Sequence, residues 1–315
     1  MSALVLKLRS LPVLFGRGLL LRLAVSFLVG CAAFWFVTVL GPRFMAPGGD
    51  FVFWAVRAAR DLLAGRDPYA YPFHAGAIPY PLPAAFVGLP FVKLEAGLAG
   101  ALFMALSSTL LAFGLTRQGK YWRLLVFLSY PYLEALETVQ WSPLVMSLAL
   151  FPDLLPLALA KPQVGLPAAV YHKPTRRGLI LSGLVLLASL AVYPLWPVRW
   201  LSQVGPFGGY VPILLPFGFF LSLAALRISR PSGRLLLAMS ILPRRAFYDS
   251  LLLWLIPEHW VEMLVLNLAS FLALGLVLPD RRAYHLLVYY TALFLVLRPA
   301  SWLVRRFREP SREVV

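Results

Sequence analysis

The dominant pattern along the chain is a succession of apolar runs, separated by short segments that carry prolines, aromatic residues and basic residues. A helix needs about 20 apolar residues to cross a bilayer, and in lipid its backbone polar groups must be paired within the protein. The runs interpreted as single spans cover residues 23–40, 124–139, 144–160, 179–195, 211–226, 261–278 and 286–304. The pattern predicts an all-α polytopic membrane protein, a single integral membrane domain over residues 1–315 with about 8 to 11 spans.

The apolar run 81–116 is interrupted near its start. Pro83, Pro90 and the polar step from Lys93 to Glu95 divide it. Because proline ends or kinks a helix, these interruptions predict a short half-helix followed by one full span. Two full spans fit the same residues, so the number of crossings here stays open.

The apolar run 235–256 is also split, at Pro243 and the two arginines that follow it. We interpret it as a tight hairpin whose tip carries Tyr248 and Asp249 on the outer face. These two side chains would line an outer cavity and bind substrate. Alternatively, Asp249 only caps the next helix, since aspartate is favoured at helix N-termini.

The composition excludes a water-soluble domain beside the spans. Of the residues, 60% are hydrophobic and 13% are charged, whereas soluble domains contain about 25% charged residues. The net charge of +16 would suit a nucleic-acid binder, but the basic residues punctuate apolar runs and form no stripe with stacking aromatics. We therefore expect membrane lipids, and no nucleic acid, among the partners. Cys31 is the only cysteine, so no intrachain disulfide forms.

The distribution of basic residues predicts the orientation, because lysine and arginine are retained in cytoplasmic loops. Arginines and a lysine precede the run 23–40, which is longer than a signal-peptide core and is followed by no small-residue cleavage site. We expect a multi-pass protein of the cell or plasma membrane, with both termini cytoplasmic. The same rule puts Lys161 at the cytoplasmic end of the span 144–160.

The segment 42–80 is the one long interruption, and this orientation makes it the first extracytoplasmic loop. Within residues 50–64, Asp50, Trp54, Arg57 and Asp61 recur at helical spacing and share one face. We expect an interfacial helix here.

Asp50 is the carboxylate of greatest interest. It opens this helix, where it would serve as an N-cap worth about 1 kcal/mol, as a general base above the bilayer, or as both. Arg57 would bind a donor phosphate or form an interfacial ion pair with Asp61.

Three polar residues lie near the outer end of the run 124–139. Gln140 would bind sugar hydroxyls, or merely satisfy the polar end of a helix. Glu134 and Glu137 are three residues apart and share a helix face. They form a solvated helix end, or a second acidic wall of a pocket.

Several short motifs resemble glycosyltransferase family 87, the polyprenyl-phosphate-mannose-dependent mannosyltransferases of the GT-C superfamily. They are Gly49-Asp50, residues 63–69 (LAGRDPY), residues 80–83 (YPLP), Gln140 with Ser142-Pro143, and residues 161–163 (KPQ). The likeness covers roughly residues 45–200. It departs from the family at Val139, where the family has a glycine before the glutamine.

The resemblance implies a GT-C type helix bundle and a membrane hexosyltransferase of the cell envelope. The enzyme would move a sugar, mannose by this resemblance, from a polyprenyl-phosphate donor to a lipid or glycan acceptor on the extracytoplasmic face. Carried over to this chain, it makes Asp50 the catalytic base. It also implies that loop 65–69 shapes the sugar-phosphate pocket, with Arg66 and Tyr69 as its polar candidates.

The residues suit this chemistry. An inverting transfer needs one base and no second carboxylate as nucleophile. A lipid-phosphate donor needs no nucleotide fold, and the chain has neither a glycine-rich dinucleotide motif nor an Asp-x-Asp pair. The histidines lack ligand spacing, so we expect no metal and no cofactor. We assign Arg57 and Arg66 to the phosphate, and Tyr69 and Gln140 to the sugar.

Two rival functions remain. A transporter or flippase for lipid-linked or small anionic substrates predicts charges at mid-bilayer and two related halves. We detect no internal repeat, and only Asp153, placed within the span 144–160, is a carboxylate expected at depth. The other rival is a non-catalytic protein that keeps the same fold.

Overall fold

The computed structural model describes residues 17–43, 48–70, 80–204, 209–244, 246–275 and 285–298. These residues are predominantly helical and form no strand, although Tyr210 and Arg244 make an isolated antiparallel bridge. The α-helices are α1 Arg17–Trp35, α2 Arg57–Leu63, α3 Pro83–Gly88, α4 Ala96–Leu115, α5 Tyr130–Glu137, α6 Ser142–Leu148, α7 Leu157–Ala160, α8 Pro162–Tyr171, α9 Arg176–Val192, α10 Trp196–Val204, α11 Pro231–Ile241, α12 Trp260–Gly275 and α13 His285–Leu297. The expectation of an all-α protein is confirmed for these ranges.

Tighter and wider helical turns connect these helices. The π-helical segment Phe36–Leu40 continues α1, and a second π-helical segment, Phe51–Val56, precedes α2. The longer 3-10 segments are Tyr121–Leu128, Gly218–Arg227 and Phe247–Leu255. Shorter ones are Gly41–Arg43, Leu89–Phe91, Arg117–Gly119, Pro152–Leu154 and Pro212–Leu214.

Within the described ranges, two helices are long and apolar enough to cross a membrane, Gly18–Leu40 and Ala96–Leu115. A third crossing is added if α9 and α10, which meet at a 91° bend, are counted as one span. Large apolar side chains are exposed on α9, including Leu179, Leu184 and Leu187. Such an outer surface suits lipid rather than water, as expected for a membrane protein.

The predicted division of the run 81–116 is confirmed. The half-helix α3 begins at Pro83, and α4 forms the full-length helix. Glu95 caps α4, since its carboxylate accepts hydrogen bonds from the backbone N–H groups of Gly97 at 3.0 Å and Leu98 at 3.2 Å. These two donors hold the pKa of the Glu95 carboxyl below its usual range.

Three runs predicted as single spans are not continuous helices. Residues 144–160 contain Pro152 and Pro156, and the chain forms α6, a 3-10 turn and α7 in their place. In run 124–139 a new helix begins next to Pro131, a residue type favoured in a first helical turn. In run 211–226, helical structure restarts beyond Pro216. Apolar length alone overestimated these spans, because proline ended the helices.

The predicted hairpin at 235–256 has two helical arms, but the prediction for its tip is wrong. Tyr248 and Asp249 lie inside the second arm, Phe247–Leu255, and are buried. That arm packs against α5, α6 and α8. Its polar side chains therefore face the interior of the bundle. The prediction for Asp153 is also wrong, since this residue is exposed in a 3-10 turn and accepts a hydrogen bond from Thr175.

The helix expected within residues 50–64 is confirmed through Leu63, as the π-helical segment Phe51–Val56 followed by α2, and its place at the membrane interface stays a prediction. The last two predicted runs correspond to α12 and α13. Residues 276–284 and the arginine-rich tail lie outside the described residues, as do residues 71–79 of the first loop.

Candidate functional site

A pair of glycines positions Asp50. Gly48 and Gly49 have φ values of +84° and +50°, which glycine adopts without steric cost. A Cβ on Gly49 would lie 2.5 Å from the carbonyl oxygen of Thr138. The next backbone N–H, that of Asp50, donates to the same oxygen at 3.1 Å. The glycines thus bring the start of the interfacial helix into contact with the end of α5.

The end of α5 positions Gln140. The N–H of Gln140 bonds to the carbonyl of Ala135 at 2.9 Å, and that of Val139 bonds to Leu136 at 3.4 Å. This pair of bonds is a Schellman motif, which requires a left-handed residue where Val139 stands. Val139 has φ +52°, an unusual value for a β-branched residue. Glycine is the residue that suits this backbone best.

Four side chains join in a chain of polar contacts, the Asp50 network. Gln140 donates from Nε2 to Oδ2 of Asp50 at 2.5 Å. Its Oε1 accepts a hydrogen bond from Nζ of Lys161 at 3.2 Å. The same ammonium lies 3.1 Å from Oδ1 of Asp249. Residues far apart in sequence therefore form one electrostatic unit.

The charges at the two ends of the network fix the orientation of the amide. Turned over, Gln140 would present its oxygen to the Asp50 carboxylate and its NH₂ group to the Lys161 ammonium. Both contacts would be repulsive, and a buried polar group without a partner costs about 1–3 kcal/mol. The observed orientation gives each ion a complementary partner. The amide is thus locked by the ions it connects.

Burial differs along the network. Gln140, Lys161 and Asp249 are 0%, 2% and 0% exposed, whereas Asp50 is only partly buried. The Lys161 ammonium lies 4.7 Å from the Tyr248 ring centroid and 5.8 Å from that of Tyr80. Asp50 is therefore the accessible end of an otherwise buried assembly.

Glu134 adds a further carboxyl group to this region. It accepts a hydrogen bond from the backbone N–H of Tyr248 and lies close enough to Asp249 and Lys161 to interact with their charges. This placement fits the hypothesis of a second acidic wall better than that of a solvated helix end.

A small cleft, partly open to solvent, lies next to this network. Its lining includes Trp54, Arg57, Tyr69, Tyr80 and Leu82. The Arg57 guanidinium lies 5.2 Å and 5.6 Å from the ring centroids of Phe53 and Trp54. Since the ring of Tyr80 also faces Lys161, this residue connects the cleft with the Asp50 network.

Tyr69 keeps its proton at any physiological pH. Burial is the main factor that raises the pKa of its phenol, and the charge of Asp67 adds to this effect. Its hydroxyl donates to the carbonyl of Tyr80 at 3.0 Å. The structure thus brings two predicted substrate-binding residues, Arg57 and Tyr69, to one cleft.

Helix α10 supports the loop that carries Tyr69. Trp196 is buried in a small apolar cluster with Tyr69 and Leu82. The amide of Gln203 donates to the carbonyl of Tyr69 at 2.7 Å. Trp196 thus packs against the loop that lines the cleft.

Arg66 and Asp61 form an ion pair at 2.7 Å, in which Asp61 is buried and Arg66 is 62% exposed. Asp61, which the sequence offered as a partner of Arg57, thus pairs with Arg66. The assignment of Arg66 to a donor phosphate stays a prediction.

Lys161 is where sequence reasoning erred most. The charge rule placed it at the cytoplasmic end of a span, across the bilayer from Asp50. Because Gln140 contacts both residues, that placement is wrong. Two features of the sequence indicate the correct placement. Two prolines in the run 144–160 argue against a continuous span, and Lys161 begins the KPQ motif of residues 161–163.

Among the described residues, no group of three or more histidine, cysteine, aspartate or glutamate side chains is arranged to hold a metal ion. His74 lies outside these residues. In comparisons with known proteins, no family model, no curated protein and no solved structure matches the chain. Its function must therefore be inferred from the geometry of the site.

Proposed function

We propose that this chain is a membrane glycosyltransferase of the GT-C type. It moves a sugar, mannose by the resemblance, from a polyprenyl-phosphate donor to a lipid or glycan acceptor on the extracytoplasmic face. The observation that supports this proposal is a partly accessible carboxylate, Asp50, fixed by a buried amide and next to a cleft that contains Arg57. A base beside an anion-binding group is the arrangement that this transfer needs.

The proposed reaction is a single displacement. The acceptor hydroxyl gives its proton to Asp50, whose Oδ2 is already bound by Gln140, while the acceptor oxygen attacks the anomeric carbon of the sugar. The bond from that carbon to the phosphate oxygen breaks, and its electron pair leaves with the polyprenyl phosphate. One bond forms and one breaks on opposite faces, so the configuration inverts.

The cleft supplies contacts for the donor. Arg57 offers a cation to the phosphate, and its position over two aromatic rings limits its movement. Tyr69 stays neutral and donates its hydroxyl proton to the Tyr80 carbonyl, so its hydroxyl oxygen is offered as an acceptor to the sugar. The role of Gln140 as a sugar contact stays a prediction, since both polar atoms of its amide already bind Asp50 and Lys161.

The proposal also includes the membrane orientation. The Asp50 loop faces outward and both termini are cytoplasmic, which the basic residues before α1 support. Labelling of single cysteines near Asp50 and near Arg176, in a Cys31-free background, tests this orientation. Protection of the Asp50 loop from an impermeant reagent added outside intact cells would contradict it.

The function is tested with purified protein in liposomes that contain radiolabelled polyprenyl-phosphate mannose and a membrane lipid extract as acceptor. We expect label to move into a new lipid or glycan product, with no transfer from a mannose nucleotide alone. Asp50→Asn removes the proposed base and should lose this transfer. Glu258→Gln is its matched control, since Glu258 is 73% exposed and its ion pair with Arg298 spans 3.7 Å. Movement of labelled lipid across the bilayer without any covalent product would contradict the proposal and favour a flippase.

A further inference from the structure

We infer that Lys161 is a positioning residue for the proposed base, acting on Asp50 through the amide of Gln140. This inference rests on the proposed function, and it adds a role for a residue that the charge pattern assigned to the opposite side of the membrane. The juxtaposition that carries it is the unbroken sequence of contacts from Asp249 to Lys161, Gln140 and Asp50.

A buried lysine in an apolar bundle requires an explanation. Removing an ammonium from water costs several kcal/mol, so such a group persists only with close partners. Asp249 is one partner, at 3.1 Å, and the ring of Tyr248 at 4.7 Å is a second. These two contacts would suffice if the role of Lys161 were only to neutralise Asp249.

The third contact goes beyond neutralisation. Lys161 also donates to Gln140 at 3.2 Å, and a lysine ammonium has donors but no acceptor. It can therefore contact only the oxygen of the amide, which forces the NH₂ group towards Asp50. Without the cation, the Gln140 oxygen loses its donor, so the amide is held only by its bond to Asp50 and its NH₂ group is less firmly oriented towards the carboxylate. Lys161 thus holds Asp50 in the rotamer in which Oδ2 is bound and Oδ1 remains for the acceptor proton.

The position of Lys161 in the chain supports this role. Lys161 lies between α7 and α8 with a non-helical backbone, at φ −142° and ψ 75°. Gly165 on α8 packs so closely against Ala158 that an added Cβ would lie 2.4 Å from the Ala158 Cα. The two helices therefore hold the backbone beside Lys161 in place, which limits where its ammonium can lie.

The test separates positioning from neutralisation. In the double variant Lys161→Met/Asp249→Asn the buried pair is replaced by two neutral residues, a change that proteins often tolerate. We expect near wild-type thermal stability but a kcat for sugar transfer lower by about tenfold to a hundredfold, part of the roughly 100- to 10,000-fold that a positioned base supplies. The KM for the donor should change by no more than about twofold, since the cleft is untouched.

Two further variants complete the test. Adding Gln140→Leu to the double variant should lower kcat by a smaller factor than Gln140→Leu does in the wild-type protein, because the orientation of the amide is already weakened. The matched control Arg298→Met/Glu262→Gln removes another buried ion pair, between α12 and the end of α13, and should leave kcat unchanged. A double Lys161/Asp249 variant with wild-type kcat, or a Gln140→Leu effect equally large in the double variant and in the wild type, would overturn the inference.

A measurement without substrate distinguishes failure of the inference from failure of the proposed function. A water-soluble carbodiimide with glycine methyl ester modifies protonated carboxyl groups, and mass spectrometry measures the modification rate of Asp50. We expect the Lys161→Met/Asp249→Asn variant to react several times faster at Asp50, because the Gln140 donor that protects the carboxylate is less firmly oriented. An unchanged rate overturns the inference. A faster rate in a protein that transfers no sugar would keep the coupling and refute the transferase proposal.

Discussion

The contact between Gly49 and the end of α5 gives the sharpest test of the site's geometry. In Gly49→Ala the new Cβ would lie 2.5 Å from the Thr138 carbonyl oxygen and 2.9 Å from the Cβ of Val139. Left-handed backbone costs an L-residue about 1–2 kcal/mol, and overpacking adds about 1–3 kcal/mol. We therefore expect Gly49→Ala to lower the free energy of unfolding by about 2–5 kcal/mol.

Gly65→Ala separates the two contributions. Gly65 has φ +68°, but a Cβ there would meet no atom within 4 Å. It carries the backbone cost alone, so we expect a loss of about 1–2 kcal/mol. Unfolding in a mixed-micelle denaturant titration compares the two variants, and Gly49→Ala should also displace Asp50 and reduce sugar transfer. Equal losses of stability would show that Gly49 does not pack against Thr138, and the placement of Asp50 would be refuted.

Three other predictions address different parts of the chain. Lys161→Met alone leaves Asp249 buried without its cation and should lower stability by about 3–5 kcal/mol in the same titration, against less than about 0.5 kcal/mol for Glu258→Gln. Gln118→Gly should raise stability by about 0.5–1 kcal/mol, because Gln118 is exposed with φ +61° and glycine removes that strain at a smaller entropic cost. Arg57→Ala should raise the KM for the polyprenyl-phosphate donor about tenfold with little change in thermal stability; an unchanged KM would remove Arg57 from the phosphate site.

Sequence reasoning found the helical character and one end of the site because both depend on local patterns. The recurrence of Asp50, Trp54 and Arg57 on one face indicated the interfacial helix. The prolines and the polar step in the run 81–116 marked the start of α4. Each of these signals is contained within a few helical turns.

The rest of the site depends on contacts that no local pattern contains. Lys161 and Asp249 are separated in the sequence by several helices, and the hydropathy pattern predicts them on opposite faces of the membrane. The structure instead joins them in an ion pair. The charge rule describes lysines in water at membrane surfaces, and it does not apply to one buried beside a carboxylate. The left-handed conformation of Val139 was also unexpected, since valine gives no signal for it.

The central claim is that Asp50 accepts the proton of the incoming hydroxyl, and one measurement tests it most directly. Single-turnover transfer from polyprenyl-phosphate mannose is compared between wild type and Asp50→Asn, with donor binding measured separately on both. Asparagine keeps the size of the side chain but cannot act as a base. The account predicts equal donor binding and a rate of transfer lower by at least about a hundredfold in the variant. Undiminished single-turnover transfer by Asp50→Asn would contradict it.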